Sequence, residues 1–192
     1  MAGSKLRRDA LSIFQAGIQA ANPVDAVERH LRFHGDRISV GQTSYPLDSF
    51  KRVWIVGMGK ASAVMAKPLM EGLGDRISGG IINVKHGYRY PLTAVRVVEA
   101  GHPLPDEAGL RGTREMIQLL QETGEEDLVF CLISGGGSAL SPAPAGGLSL
   151  GDKQGVTRRL LDCGATIHEI NSIRKHLSQI KGGRLARLAQ PS

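Results

Sequence analysis

Short apolar runs alternate with helical patterns from residue 52 onward, and this alternation limits the folds that the chain can adopt. The apolar runs lie at residues 52–56, 79–84, 95–99 and 127–133, with helical patterns at 61–73 and 106–121. Strands that are apolar throughout are buried on both faces, as in a parallel sheet covered by helices. The sequence therefore predicts an α/β fold, a Rossmann-like open and mostly parallel sheet with helices on both faces.

The N-terminal residues carry a different pattern. Residues 6–21 predict an amphipathic helix, because their apolar side chains recur at helical spacing. Asn22 and Pro23 are typical of an N-cap and a first helical residue. They predict a second helix, which ends near Gly35.

Two further segments, 38–40 and 43–47, flank a turn of the kind that connects a small hairpin. We predict that residues 1–50 form helices and this hairpin, and that they pack on a Rossmann-like domain formed by residues 51–192. Sheets of this kind usually hold about five or six strands, and residues 51–192 contain four long strand patterns. The sequence thus predicts a sheet that is incomplete, or truncated, at its C-terminal end.

The net charge of +6 at pH 7 bears on the class of partner. No run of Lys and Arg reaches the length of a basic tail, and aromatic residues make up only 4% of the chain, too few for a stacking platform. The composition therefore argues against a nucleic-acid partner. It favours small phosphorylated or carboxylate ligands.

The remaining composition bears on localisation. No apolar stretch approaches the length of a membrane span, and the N-terminal residues lack the apolar core of a signal peptide. Cys131 and Cys163 do not form a disulfide framework, and the apolar run around Cys131 predicts a buried side chain. These features predict a cytoplasmic protein with no membrane partner.

The first motif with chemical meaning follows the strand at residues 52–56. Gly57, Gly59 and Lys60 precede a helical pattern, so that backbone N–H groups and a lysine charge would meet an anion there. Ala61 stands where a P-loop needs Ser or Thr, and Ser62 stands where a dinucleotide fingerprint needs its third glycine. The alternative interpretation is a tight turn with a solvated lysine.

A glycine-rich loop follows the strand at residues 127–133. It consists of Ser134, Gly135, Gly136, Gly137 and Ser138. Consecutive glycines allow a concave nest of N–H donors, and the carboxyl end of a strand is where open α/β sheets bind ligands. The loop therefore predicts a phosphate site, with a mobile glycine linker as the alternative.

A third motif contains His102 and Asp106 between prolines. Either side chain could act as a base, a ligand or an orienting group. For Asp106, N-capping of the following helix is the preferred interpretation.

The fourth motif is a basic segment near the C-terminus. Asn171, Arg174 and Lys175 could share one helical face and clamp a carboxylate or phosphate. The alternative is a solvated basic helix surface.

Together these segments resemble the glycerate 2-kinase family of the MOFRL type. The matching stretches are residues 57–61, 99–106, 132–139, 169–178 and 181–183, in the same order and with similar spacing. The resemblance implies a cytosolic enzyme that transfers the γ-phosphoryl group of ATP to the 2-hydroxyl of D-glycerate, with Mg²⁺. It also implies a Rossmann-like N-terminal domain followed by a second, C-terminal domain, which we expect to be absent from these 192 residues.

The resemblance also implies roles for individual residues. Lys60 is similar to a catalytically important lysine, and the glycine-rich loop is similar to a phosphate-binding loop. Asn171, Arg174 and Lys175 are similar to a polar set that faces the substrate cleft. No residue of this sequence is assigned as a metal ligand.

Two other functions stay open. The chain could be a truncated, non-catalytic fragment that retains nucleotide or phosphate binding and forms a homo-oligomer through an unpaired sheet edge. It could also be a hydroxypyruvate reductase that uses NAD(P), although the dinucleotide fingerprint is weak.

Overall fold

The computed structural model describes residues 2–192, and its first elements are two helices and three short strands. They are α1 (Ala2–Ala20), α2 (Pro23–His30), β1 (Leu31–His34), β2 (Arg37–Val40) and β3 (Thr43–Pro46). The Oδ1 atom of Asn22 accepts a hydrogen bond from the Val24 N–H at 2.9 Å, so the predicted N-cap is confirmed. The predicted hairpin is also confirmed, since β2 and β3 pair antiparallel.

The predicted end of the second helix near Gly35 is wrong. Residues 31–34 form β1, which pairs antiparallel with β2 around a turn in which Gly35 has a φ of 59°. Leu31 and Phe33 alternate with more exposed residues and pack against the core. The strand forms because this alternation places both apolar side chains on one face.

The remaining elements build the main sheet and its helices. In chain order they are β4 (Arg52–Met58), α3 (Ser62–Met65), α4 (Lys67–Leu73), β5 (Ile77–Lys85), β6 (Arg96–Ala100), α5 (Glu107–Gln121), β7 (Asp127–Ile133), α6 (Gly137–Leu140), α7 (Leu150–Asp162), α8 (Ile167–His176) and α9 (Arg184–Leu188). The single helix predicted over 61–73 is split in two, because Pro68 occupies the first turn of a new helix. Ser149 and Thr166 form capping boxes at the starts of α7 and α8.

All strands of the main sheet are parallel and follow the order β6-β5-β4-β7. The chain starts at β4, adds β5 and β6 on one side, and then crosses to place β7 on the other side. In open α/β sheets, ligands bind at the carboxyl ends of the strands where the order reverses. Here that point lies between the ends of β4 and β7.

The core lies on both faces of this sheet. On one face Ile55 and Ile82 pack with Leu69 of α4, and on the other Val56 packs with Met116 of α5. This arrangement confirms the predicted α/β fold with helices on both faces. Within residues 2–192, no helix is long and apolar enough to cross a membrane.

Strand β7 is an edge strand of the described sheet. Ile133 is 60% exposed at its end, and Cys131 is exposed as well. The prediction of a buried Cys131 is therefore wrong, because alternate side chains of β7 face a side that no described element covers fully. The incompleteness of the sheet, the division at residue 50 and a homo-oligomer through this edge stay predictions.

Candidate functional site

Two loops meet at the carboxyl ends of β4 and β7. The Lys60 N–H donates to the Gly135 carbonyl at 3.0 Å, and the Ala61 N–H donates to Ser134 Oγ at 3.0 Å. Ser134 Oγ also lies 3.2 Å from Ser62 Oγ. The structure therefore joins the first two sequence motifs into one site.

The glycines of the first loop allow this close approach. A Cβ atom on Gly57 would lie 2.9 Å from the Leu132 carbonyl oxygen, and one on Gly59 would lie 2.2 Å from Ser134 Oγ. The N–H groups of Gly59, Lys60 and Ala61 all donate to other protein atoms. The sequence predicts free N–H donors in this turn, but the structure offers an anion only the Lys60 side chain there. The phosphate contacts of Gly57 and Gly59 stay predictions.

The glycine-rich loop has the free donors that the first loop lacks. The N–H groups of Gly135, Gly136 and Ser138 form no hydrogen bond with another described residue. Gly136 has a φ of 91°, a conformation that glycine adopts without strain. A Cβ atom on Gly137 would lie 2.8 Å from the Cγ atom of Met58, so this glycine holds the loop against β4. The arrangement can accommodate an oxyanion, although its binding of phosphate stays a prediction.

A buried asparagine anchors the segment that follows this loop. Asn83 is fully buried at the end of β5, and its Nδ2 atom lies 3.1 Å from the Leu140 carbonyl oxygen and 3.2 Å from the Gly109 carbonyl oxygen. A Cβ atom on Gly112 would lie 2.2 Å from Asn83 Oδ1, so only glycine admits this side chain. Asn83 thereby links β5 to α5 and to the end of α6.

Lys60 and His102 determine the electrostatics of the two loops. Lys60 is partly buried, and among the described residues its ammonium has no ion-pair partner. His102 packs against Gly136, where a Cβ atom would lie 3.0 Å from its Cδ2 atom. Burial, and then the charges of Lys60 and Lys85, lower the pKa of His102. The imidazole is therefore neutral at pH 7, and the net charge of this corner is positive.

Asp106 has the capping role that the sequence favours. Its Oδ1 atom accepts a hydrogen bond from the Gly109 N–H at 2.9 Å in the first turn of α5. Burial acts to raise the pKa of Asp106, but hydrogen bonds from Gly109, Gly101 and His86 lower it below the ordinary value. The carboxylate is thus ionised and engaged with the protein.

Only one of the three predicted substrate residues of α8 lies at the glycine-rich loop. The Nη2 atom of Arg174 donates to Ser138 Oγ at 3.0 Å, and its Nε atom is buried without a partner. Asn171 and Lys175 are exposed on the same helix. The predicted substrate contacts of all three stay predictions, with Arg174 placed best.

Sequence reasoning did not select two lysines close to Arg174. Lys153, in the first turn of α7, is only 3% exposed, and its Nζ atom has no hydrogen-bond partner. Burial, and then the charge of Arg174, lower the pKa of Lys153 to about 8. Burial, and then the charges of Lys153 and Arg174, also lower the pKa of Lys181 to about 8. A signal existed for Lys153, which follows the buried Leu150 by three residues on the inward face of the helix.

The side chains at this site do not form a metal centre of their own. Within residues 2–192, no group of three or more His, Cys, Asp or Glu side chains could hold a metal ion. Magnesium usually binds through one or two carboxylates together with substrate phosphates. The side chains of residues 2–192 therefore form no cluster that would hold a metal ion in the absence of substrate phosphates, and no catalytic step is assigned to such an ion.

Comparison with known proteins identifies the family. A family model described as a domain of unknown function, DUF4147, matches residues 9–192. The glycerate 2-kinase of Pyrococcus horikoshii is 39% identical over 188 residues, which are 98% of this chain and 42% of that protein. A putative hydroxypyruvate reductase of Agrobacterium vitis is 45% identical over 141 residues, 73% of this chain and 37% of that protein.

A solved structure agrees with the sequence relatives. The crystal structure of a glycerate kinase from Thermotoga maritima matches with a TM-score of 0.80 and 36% identity, over 98% of this chain and 42% of that one. The chain thus spans about two fifths of the length of the kinases that it matches. It belongs to the DUF4147 family, the N-terminal part of the MOFRL-type glycerate kinases.

Proposed function

We propose that this chain provides the phosphate-handling part of a cytoplasmic glycerate 2-kinase, which transfers the γ-phosphoryl group of ATP to the 2-hydroxyl of D-glycerate. One observation carries the proposal. The loops after β4 and β7 are hydrogen-bonded to each other at the point where the strand order reverses, with Lys60 on one loop and free N–H donors on the other. The names of the kinase relatives support the same activity.

Phosphoryl transfer depends mainly on positioning and on the neutralisation of charge. In the proposed reaction, the bond between the γ-phosphorus and its bridging oxygen breaks, and a bond to the 2-hydroxyl oxygen of glycerate forms. The N–H groups of Gly135, Gly136 and Ser138 donate to phosphate oxygens, and the Lys60 ammonium neutralises charge on the transferred group. The neutral imidazole of His102 at the same loop is able to accept the hydroxyl proton.

Magnesium enters this proposal as part of the substrate MgATP. It neutralises charge on the nucleotide phosphates when bound. No residue of this chain is assigned to it.

A reductase that uses NAD(P) is the second candidate, because one relative is named a putative hydroxypyruvate reductase. Two observations weigh against it. First, Ser62 stands where the fingerprint needs its third glycine, and it is buried against Ser134. Second, β5 ends in Lys85, where a dinucleotide site needs an acid to bind the ribose. A non-catalytic fragment that retains nucleotide or phosphate binding is the third candidate.

Calorimetry separates these functions. We expect the 192-residue chain to bind ATP with Mg²⁺ and not NADH, and we expect Lys60→Ala to weaken ATP binding about tenfold or more, because a charge-assisted contact is lost. Lys67→Ala is a matched control, since Lys67 forms only an exposed pair with Glu71 at 3.7 Å. Where the chain turns over ATP and D-glycerate, Lys60→Ala should lower kcat about 100-fold or more.

The opposite results are equally clear. Binding of NADH without ATP would favour the reductase. ATP affinity that is the same in the wild type and in Lys60→Ala would remove the role assigned to this lysine. ATP binding without any turnover would favour the non-catalytic fragment.

A further inference from the structure

A small cavity lies beside the glycine-rich loop, between α7 and residues 103–105. It has a volume of about 170 Å³, and its walls include Ser138, Lys153 and Arg174. Pockets for drug-sized ligands measure about 300–1,000 Å³. The cavity therefore has room for a small acid and not for a whole nucleotide.

The side chains around this cavity carry positive charge without a counter-ion. Lys153 is 3% exposed, and its Nζ atom has no partner. The Nε atom of Arg174 is likewise buried and unpaired. No carboxylate of the described part of the chain forms an ion pair with Lys153, Arg174 or Lys181.

A purely structural role does not account for this arrangement. Buried charges in proteins are normally paired, because an unpaired charge in a poorly solvated place is costly. A Leu or Met at position 153 would fill the same space on the inward face of α7 without that cost. The cations are therefore better explained by an anion that binds among them.

We propose that the cavity at Ser138, Lys153 and Arg174 binds the oxyanion of a small acid, with Lys153 as its anchoring residue. Arg174 offers a planar guanidinium that Ser138 already orients, and the flexible stem of Lys153 lets the ammonium turn toward the ligand. Lys181 lines a separate cavity together with residues of β7, and its charge interacts with those of Lys153 and Arg174.

The proposal goes beyond the proposed kinase activity, in which Lys153 takes no part. Oxyanion binding as such needs only the cluster of cations. The finer assignment, that this oxyanion is the carboxylate of the phosphoryl acceptor, rests on the proposed function. Because Ser138 belongs both to this cavity and to the glycine-rich loop, that assignment would place acceptor and phosphate side by side.

The test is calorimetry of the 192-residue chain with D-glycerate and, separately, with inorganic phosphate, at pH 7 and without nucleotide. We expect Lys153→Met to weaken binding about tenfold to 100-fold, since a hydrogen bond to a charged group is lost. Lys153→Arg keeps the charge and should retain most of the affinity. Arg159→Met, at an exposed position of the same helix, is the matched control and should bind as the wild type does.

A second readout guards against a variant with altered folding. D-Glycerate or phosphate should raise the Tm of the wild type and of Arg159→Met, but not that of Lys153→Met. A preference for D-glycerate over phosphate would identify the carboxylate as the bound group, and the reverse would identify a phosphoryl group.

The proposal is overturned if the wild type binds neither anion, or if Lys153→Met binds them as tightly as the wild type. Failure of the kinase proposal is distinguishable from this result. If ATP binding depends on Lys60 but anion affinity is the same in Lys153→Met and in the wild type, only the proposal of an oxyanion pocket is refuted. If anion binding depends on Lys153 but the chain does not bind ATP, only the kinase proposal is refuted.

Discussion

Replacement of Lys153 by Met should make the ligand-free protein more stable. Burial, with the charge of Arg174, lowers the pKa of Lys153 from 10.5 to about 8. Because one pKa unit corresponds to a little over 1 kcal/mol, this difference amounts to about 3 kcal/mol against the charged folded state. Methionine has a similar shape and no charge, so we expect a gain of about 2–3 kcal/mol in the free energy of unfolding.

The pH dependence of this gain follows from the direction of the shift. The folded-state pKa of Lys153 lies below the unfolded value, so its charge opposes folding fully below pH 8. The opposition fades as the pH rises from about 8 to about 10.5, because the folded state then loses the proton of Lys153 while the unfolded state still holds it. The advantage of Lys153→Met should be largest at pH 7 and nearly absent above pH ~10.5.

Urea and thermal unfolding of the wild type and of Lys153→Met at the two pH values would measure this effect. A gain of this size raises the Tm by roughly 5–10 °C for a chain of this length. Arg159→Met, which removes an exposed positive charge from the same helix, should change the Tm little. A variant that is less stable than the wild type at pH 7, or a gain that is equal at both pH values, would refute the reasoning.

Two further predictions concern other parts of the fold. Gly59→Ala should lower the free energy of unfolding in urea titrations by about 3 kcal/mol, since φ is 134° and the new Cβ would lie 2.2 Å from Ser134 Oγ. Gly146→Ala is the control and should have little effect, because a Cβ atom there meets nothing within 4 Å. The hydrogen bond from Arg52 lowers the pKa of Asp127. The wild type should therefore have a larger free energy of unfolding than Asp127→Asn at pH 7, and this difference should be lost as the pH falls below about 4. A constant difference between pH 7 and pH 3 in urea titrations would contradict the second prediction.

The parts of the fold that the sequence predicts correctly depend on local signals. The strands at 52–58 and 127–133 follow from continuous apolar runs, and the caps at Asn22 and Asp106 follow from side chains that bond their own helix. Such signals are complete within a few residues. They need no knowledge of the rest of the chain.

The errors have a different origin, because each depends on contacts between elements and not on a signal within one element. Residues 31–34 become a strand because β2 is available as a partner, and Cys131 is exposed because β7 lies at the edge of the described sheet. Lys153 is charged by type, and the residues that share its cavity, Arg174 and Ser138, approach it only in the folded chain. The glycine motifs could be located from the sequence, whereas the hydrogen bonds of Ser134 that join them could not.

The cluster of cations links the stability of this protein to its ligand. If the charge of Lys153 opposes folding in the free protein, an oxyanion that binds beside it removes that opposition and stabilises the folded state. Lys153→Met should therefore raise the stability of the free protein and abolish the stabilisation by anions in the same experiment. A merely structural lysine would predict the gain in stability without the loss of the anion effect, so the two results together distinguish a binding pocket from a tolerated buried charge.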